Sequence, residues 1–310
     1  MSDQITNSPT EDGDLKRSLS NRHLQLIAIG GAIGTGLFMG SGKTISLAGP
    51  SILFIYMIIG LMVFLVMRAL GELLLSNLQY KSFIDFSTDL IGPWAGYFVG
   101  WTYWLCWITI GIADLSAIIY YLQFFNNGMP FTPLEGVLIS VASIIFITGL
   151  NLATVKLFGE MEFWFAMIKI IAIVVLIAVG AWMIFTGFTS TAGEVAAFSN
   201  LWAHGGMFPT GLGGFLAGFQ IAIFAFVGVE LVGTTAAETK DPEKNLPKAV
   251  NSIPIRIIIF YVLALVIVMA VTPWNKIDPS ISPFVNLFSQ AGIAAAAIIM
   301  NLVVLSSVMS

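Results

Sequence analysis

Charge is what this chain has least of. Asp, Glu, Lys and Arg make up 10% of its 310 residues, and 57% are hydrophobic. A soluble domain carries about 25% charged residues. A chain this poor in charge cannot solvate its own surface, so lipid is the expected solvent. Cysteine is nearly absent as well. Cys106 is the single one, set in an apolar run, so no internal disulfide can form and the residue says nothing about compartment. The two histidines, His23 and His204, lie in polar flanks and make no metal-ligating cluster. Nothing in the pattern calls for an enzyme, a cofactor, a metal or a nucleic-acid partner. Residues 1–20 lack an apolar core ahead of a cleavage site. They read as a disordered cytoplasmic tail rather than a cleaved signal peptide.

What the chain does have is long apolar runs. A hydrocarbon core about 30 Å thick takes roughly 20 apolar residues of helix. Eight segments reach that length: 24–47, 51–76, 92–122, 133–152, 160–186, 211–236, 254–272 and 287–310. The basic residues then set an orientation. With the N-terminus in the cytoplasm, Lys16, Arg17, Arg22, Arg68, Lys81, Lys156, Lys240, Lys244, Lys248 and Arg256 all fall on the cytoplasmic side. Only Lys43 and Lys276 fall outside, and Lys169 falls within a span. That is a strong positive-inside bias. The last apolar run carries no basic flank or polar tail, which suggests a chain truncated after about eight helices.

The first span opens on Ile27–Gly42, IAIGGAIGTGLFMGSG, with six glycines in sixteen residues. Glycine costs about 1 kcal/mol relative to alanine inside a helix. Gly40-Ser-Gly-Lys-Thr44 imitates the end of a phosphate loop, but the position that motif requires as its first glycine is Leu37. Two readings remain. Gly30 with Gly34, and Gly36 with Gly40, are G-x-x-x-G pairs that let helices approach closely in lipid. Alternatively the span is a broken helix around Gly34-Thr35-Gly36, of the kind secondary transporters use at mid-depth to present freed amides to an anionic group. An inverted repeat of five helices would put a second break in the sixth span. There Gly228 interrupts an apolar run and Glu230 is a carboxylate at membrane depth. An ionisable residue at that depth is a functional hypothesis by default. Lys169 in the fifth span and Asp114 in the third are the other two. Trp101, Tyr103, Trp104 and Trp107 read as packing residues and interfacial anchors.

Several stretches together carry a resemblance. They are Ile29–Phe38 (IGGAIGTGLF), Arg68–Glu72 (RALGE), Gly92–Gly96 (GPWAG), Phe158–Lys169 (FGEMEFWFAMIK), Phe226–Glu230 (FVGVE) and Ala237–Ala249 (AETKDPEKNLPKA). The chain resembles the amino acid–polyamine–organocation (APC) superfamily, in its bacterial amino acid transporter branch, from about Leu15 to the last residue. The resemblance implies an all-α polytopic membrane protein with the LeuT-like five-plus-five inverted-repeat fold. The permease domain would run over 21–310, its first repeat over about 24–186 and an incomplete second over about 211–310. The implied function is import of small amino acids (D-alanine, D-serine, glycine) across the bacterial inner membrane by proton symport with alternating access. A different amino acid substrate, or a truncated remnant that does not transport, stand as alternatives.

The resemblance also assigns roles. The amides of Thr35 and Gly36, beside Gly34, would take the substrate carboxylate. Carbonyls near Ala32, Phe224 and Val227 would take the ammonium group. Phe226 or Phe224 would close over the site as an aromatic gate. Lys169 would stand where sodium-coupled relatives hold a sodium ion and couple proton gain and loss to conformational change, or else be a structural ammonium held by backbone carbonyls or a snorkelling lysine. Asp114 would pair with it or shuttle protons, or make a fixed structural salt bridge. Glu230 would be a protonatable hinge, or a carboxyl that caps freed amides.

Overall fold

The computed structural model describes residues 30, 33–77, 80, 82–126, 128–152, 155–190, 193–231, 241–292 and 294–308. The tail 1–20 and Ala32 lie outside the described residues. The described chain is helical, with one isolated antiparallel bridge between Thr189 and Val195 in the loop after the fifth span. The elements are α1 (Thr35–Phe38), α2 (Gly40–Ala48), α3 (Ile52–Ser76), α4 (Phe83–Leu90), α5 (Pro93–Gln123), α6 (Pro133–Asn151) and α7 (Val155–Phe185). After them come α8 (Gly211–Ala222), α9 (Pro242–Asn251), α10 (Ile253–Ile257), α11 (Ala264–Val271), α12 (Pro283–Gln290) and α13 (Ala294–Val308).

The helix starts are written locally. Pro93, Pro133, Pro242 and Pro283 each open a helix, where the missing N–H has no intrahelical partner to lose. Capping boxes hold two starts: Ser82 with Asp85 at α4, and Thr132 with Glu135 at α6, which Pro133 also opens.

Five stretches among the described residues are long and apolar enough to cross a membrane: Gly40–Ser76, Pro93–Asn126, Pro133–Leu150, Phe163–Phe185 and Pro242–Val271. Two shorter apolar helices, Gly211–Phe226 and Ala295–Val308, account for the expected sixth and eighth spans. The first stretch joins the outer part of the expected first span to the second. It leaves helical geometry at Gly49, whose φ is 61°. The chain is therefore a polytopic membrane protein, as its composition demands.

Burial follows helix periodicity. On α7 the inward residues are Ala166, Lys169, Ile173, Leu176, Gly180 and Met183, steps of three and four that make one stripe. Lys169 is the one ionisable group on it. By contrast α6 turns almost all its residues outward, as a helix at the bundle's lipid-facing rim does. Inside, α2 packs along α8, α3 against α8 and α9, α11 against α7, and α13 against α5 and α7. The short α12 seats on the end of the first broken helix. Phe284 meets Phe38 edge-to-face at 5.1 Å, and the Ser282 hydroxyl donates to the Phe38 carbonyl at 2.7 Å.

Phe284 is fully buried, whereas Phe185 is 83% exposed at the end of α7. Phe284→Ala is therefore expected to destabilise the fold by about 3–5 kcal/mol, the usual range for emptying an aromatic site. Phe185→Ala is expected to change little, and unfolding of both variants in detergent checks the contrast.

Candidate functional site

The first span is broken where its glycines suggested. Gly34 is extended (φ −137°, ψ −158°), and a new helix starts at Thr35. The amides of Leu37 and Phe38 both return to the Gly34 carbonyl at 3.1 Å. A helix that begins there leaves the amides of Thr35 and Gly36 without an intrahelical acceptor. On the other side of the break, carbonyls are met by side chains from distant elements. Lys169 Nζ donates to the Gly30 carbonyl at 3.1 Å, and the Ser307 hydroxyl donates to the Ile33 carbonyl at 3.0 Å.

The sixth span breaks in a complementary way. Helix α8 passes into a 3-10 turn over Ile223–Phe226 and becomes extended at Val227. Gly228 follows with φ 99°, a conformation that strains any L side chain. Its freed N–H donates to the Glu230 carboxylate at 2.9 Å. The Glu230 carboxylate thus meets a peptide group of the break directly. The Ala225 carbonyl, also released, accepts from the Tyr261 hydroxyl at 3.0 Å. Tyr261 lies in a π-helical segment, Ile258–Leu263, between α10 and α11. Single π turns inside helices are frequent at functional sites.

The two breaks touch. A Cβ added at Gly36 would lie 2.5 Å from the Cα and N of Ala225 and from the carbonyl oxygen of Phe224. Backbone crosses backbone there, and only glycine fits. Gly34 has open space around its Cβ position, and its extended φ is one any residue adopts. The two glycines thus differ in kind.

The remaining predicted residues distribute around this crossing. The Thr35 hydroxyl donates to Asp114 Oδ1 at 2.5 Å, tying the start of α1 to the middle of α5. Lys169, 2% exposed, lies within electrostatic reach of Asp114. The carboxylate's hydrogen bond nevertheless goes to Thr35. Phe226 is 4% exposed, stacks on Tyr261 (centroids 5.1 Å, 21°) and leans on Tyr56 (5.4 Å). Phe224 is only half-buried, and Val227 lies at the extended turn. Ala32 lies outside the described residues. Trp101 and Trp104 are 54% and 56% exposed on α5, while Tyr103 packs edge-to-face on Phe83 and Trp107. Tyr56, Tyr261, Ser282 and Ser307 escaped the sequence reading. Their one signal is a hydroxyl-bearing residue in or beside an apolar run.

Gly36→Ala is expected to push α1 off Ala225 and to destabilise the fold by about 1–3 kcal/mol, the cost of overpacking a tight contact. Gly34→Ala is expected to stay within about 1 kcal/mol of the parent, because neither space nor dihedral resists it. Parallel thermal unfolding in detergent reads both.

The family profile described as amino acid permease matches residues 23–310. A D-serine/D-alanine/glycine transporter of Escherichia coli strain K12 is 65% identical over 303 residues, covering 98% of this chain and 63% of the relative. The amino-acid permease AapA of Bacillus subtilis is 55% identical over 296 residues, covering 96% of this chain and 63% of the relative. The aromatic amino acid transport protein AroP of an Escherichia coli O6:H1 strain is 44% identical, again over 96% and 63%. The chain spans 63% of the length of these relatives. A profile match over nearly the whole chain, with relatives this similar, places it: the chain belongs to the amino acid permease family.

Proposed function

We propose that the protein is a secondary transporter that imports small amino acids, with D-alanine, D-serine and glycine as its substrates, in symport with protons across the bacterial inner membrane. The N-terminus lies in the cytoplasm, the side that carries most of the basic residues. The observation that carries this reading is the crossing of two broken spans at Gly36 and Ala225. One break offers a helix start, and the other a backbone that leaves the helix at Val227. An α-amino acid has the matching pair of charges, a carboxylate for the amides of Thr35 and Gly36 and an ammonium for the carbonyls of Ala32, Phe224 and Val227. The 65% identity to a transporter named for D-serine, D-alanine and glycine supports the choice among amino acids.

The roles of individual residues sharpen accordingly. Thr35 meets substrate through its amide, because its hydroxyl is given to Asp114. Phe224, half-buried, is the mobile half of the aromatic gate, and Phe226 is the fixed half, held by Tyr56 and Tyr261. Lys169 and Asp114 carry the coupled proton. Both bond the broken first span, Lys169 at the Gly30 carbonyl and Asp114 at Thr35, so a change of charge on either alters the substrate-binding backbone directly. Glu230 does the same for the second break through Gly228. Alternating access then amounts to two packings of the same spans that differ in which of these bonds are made.

The test is uptake of labelled glycine and D-alanine into proteoliposomes. A pH gradient, alkaline inside, is expected to drive accumulation, and unlabelled D-serine is expected to compete. Uptake indifferent to the gradient would overturn the symport reading, and no uptake of either amino acid would overturn transport itself. Lys169→Ala is expected to lower gradient-driven uptake about tenfold or more, since removing one member of a buried polar set costs several kcal/mol. Counterflow exchange without a gradient should survive better than net accumulation.

A further inference from the structure

The Arg68–Glu72 stretch is one of the motifs that carry the family likeness, yet the substrate site leaves it unused. It lines a cleft of about 200 Å³ between α3 and α9. Arg68, Gly71, Glu72 and Leu75 form one wall, one face of α3 at helical spacing. Leu246, Pro247, Val250 and Asn251 form the other, at the end of α9. The floor is apolar and the rim is charged.

The rim has an unspent cation. Arg68 Nε lies 3.6 Å from Glu72 Oε1, and both side chains are exposed, at 58% and 74%. An exposed pair of that kind contributes little, because water screens it and both side chains give up freedom to hold it. Among the described residues Glu72 is the only charge partner of Arg68, and a single Nε contact leaves the rest of its donor fork free. That planar fork matches a phosphate group.

The cleft also sits at a lipid boundary. Going toward the middle of α3, the outward residues turn apolar: Leu61, Met62, Leu65 and Val66 are 56–65% exposed. Ile255 and Ile258 on the neighbouring segment are exposed as well, at 55% and 53%. An apolar outer surface that ends in an arginine and a cleft is what a lipid with an anionic head requires.

We propose that this cleft binds an anionic phospholipid. Its headgroup phosphate rests on the Arg68 guanidinium, and its acyl chains run along the Leu61–Val66 stripe. The site is separate from the crossing of the broken spans, so it stands or falls independently of the transport reading.

Native mass spectrometry of the full chain, released from micelles doped with phosphatidylglycerol or with phosphatidylcholine of the same acyl chains, tests it. Phosphatidylglycerol adducts are expected to exceed phosphatidylcholine adducts by about fivefold, the effect of one cation at a membrane surface. Arg68→Gln is expected to bring the two lipids level. Glu72→Gln, which removes the competing carboxylate, is expected to raise the phosphatidylglycerol share. Equal adducts on the parent protein, or a preference that Arg68→Gln leaves intact, would overturn the proposal. So would full displacement by soluble glycerol phosphate, which would assign the cleft to free phosphate esters. Should Arg68→Gln fail to fold, Glu72→Gln decides alone, and an unchanged or smaller phosphatidylglycerol share overturns the site.

Discussion

A backbone amide or carbonyl released inside an apolar bundle must find a partner within the protein, because lipid offers none. The rest of this structure depends on that demand. Two spans stop being helical near mid-length, and each break would be prohibitively costly if its polar groups stayed bare. Four of these groups find side-chain partners among the described residues. The Gly30 carbonyl takes the Lys169 ammonium, the Ile33 carbonyl takes the Ser307 hydroxyl, the Ala225 carbonyl takes Tyr261, and the Gly228 amide is capped by Glu230. These partners come from α7, α13, the π-helical segment between α10 and α11, and the residues just past the break. The surrounding bundle is therefore arranged around the breaks as much as around its apolar core.

This arrangement explains why charged groups are tolerated at such depth. Lys169 stands on an inward stripe otherwise made of alanine, isoleucine, leucine, glycine and methionine. Without a ligand its burial would be expensive. Held by a carbonyl that the broken span provides, it stabilises the break while the break stabilises it. Glu230 repeats the relation with the opposite sign, a carboxylate held by an amide. Each ionisable group is bound to backbone whose shape defines the proposed substrate site. In that reading protonation and substrate recognition act on the same few peptide groups, with no long relay between them.

The fold class and the positions of both breaks were legible because they rest on local physics. Charge scarcity demanded a membrane, run lengths gave the spans, and clustered glycine with mid-span carboxylates marked where helices fail. What stayed hidden depends on distant residues meeting. Nothing around Thr35 announces that its hydroxyl turns to Asp114, 79 positions along the chain. Gly34 and Gly36 look alike in sequence, yet only Gly36 lies against the Ala225 backbone. Phe226 carries the aromatic signature of a gate, but Tyr56 and Tyr261 bury it, and both are inconspicuous tyrosines in apolar runs. The Asp114 carboxylate reaches the Thr35 hydroxyl and the Lys169 ammonium reaches the Gly30 carbonyl, contacts that no local pattern announces.

The two functions of Thr35 make a mechanical point. Its amide belongs to the start of α1, while its hydroxyl belongs to α5 through Asp114. A ligand that draws on the amide therefore pulls on a residue whose other end is anchored in the third span. Gly36, the next residue, is pressed on the sixth span. Within two residues the first span is fastened to the third and the sixth, with Lys169 of the fifth fixed to its other side. A shift of this segment cannot leave those spans where they were, since packed interfaces change between discrete arrangements rather than deforming smoothly. In the proposed alternating access, the glycine-rich break is the point through which these spans are coupled.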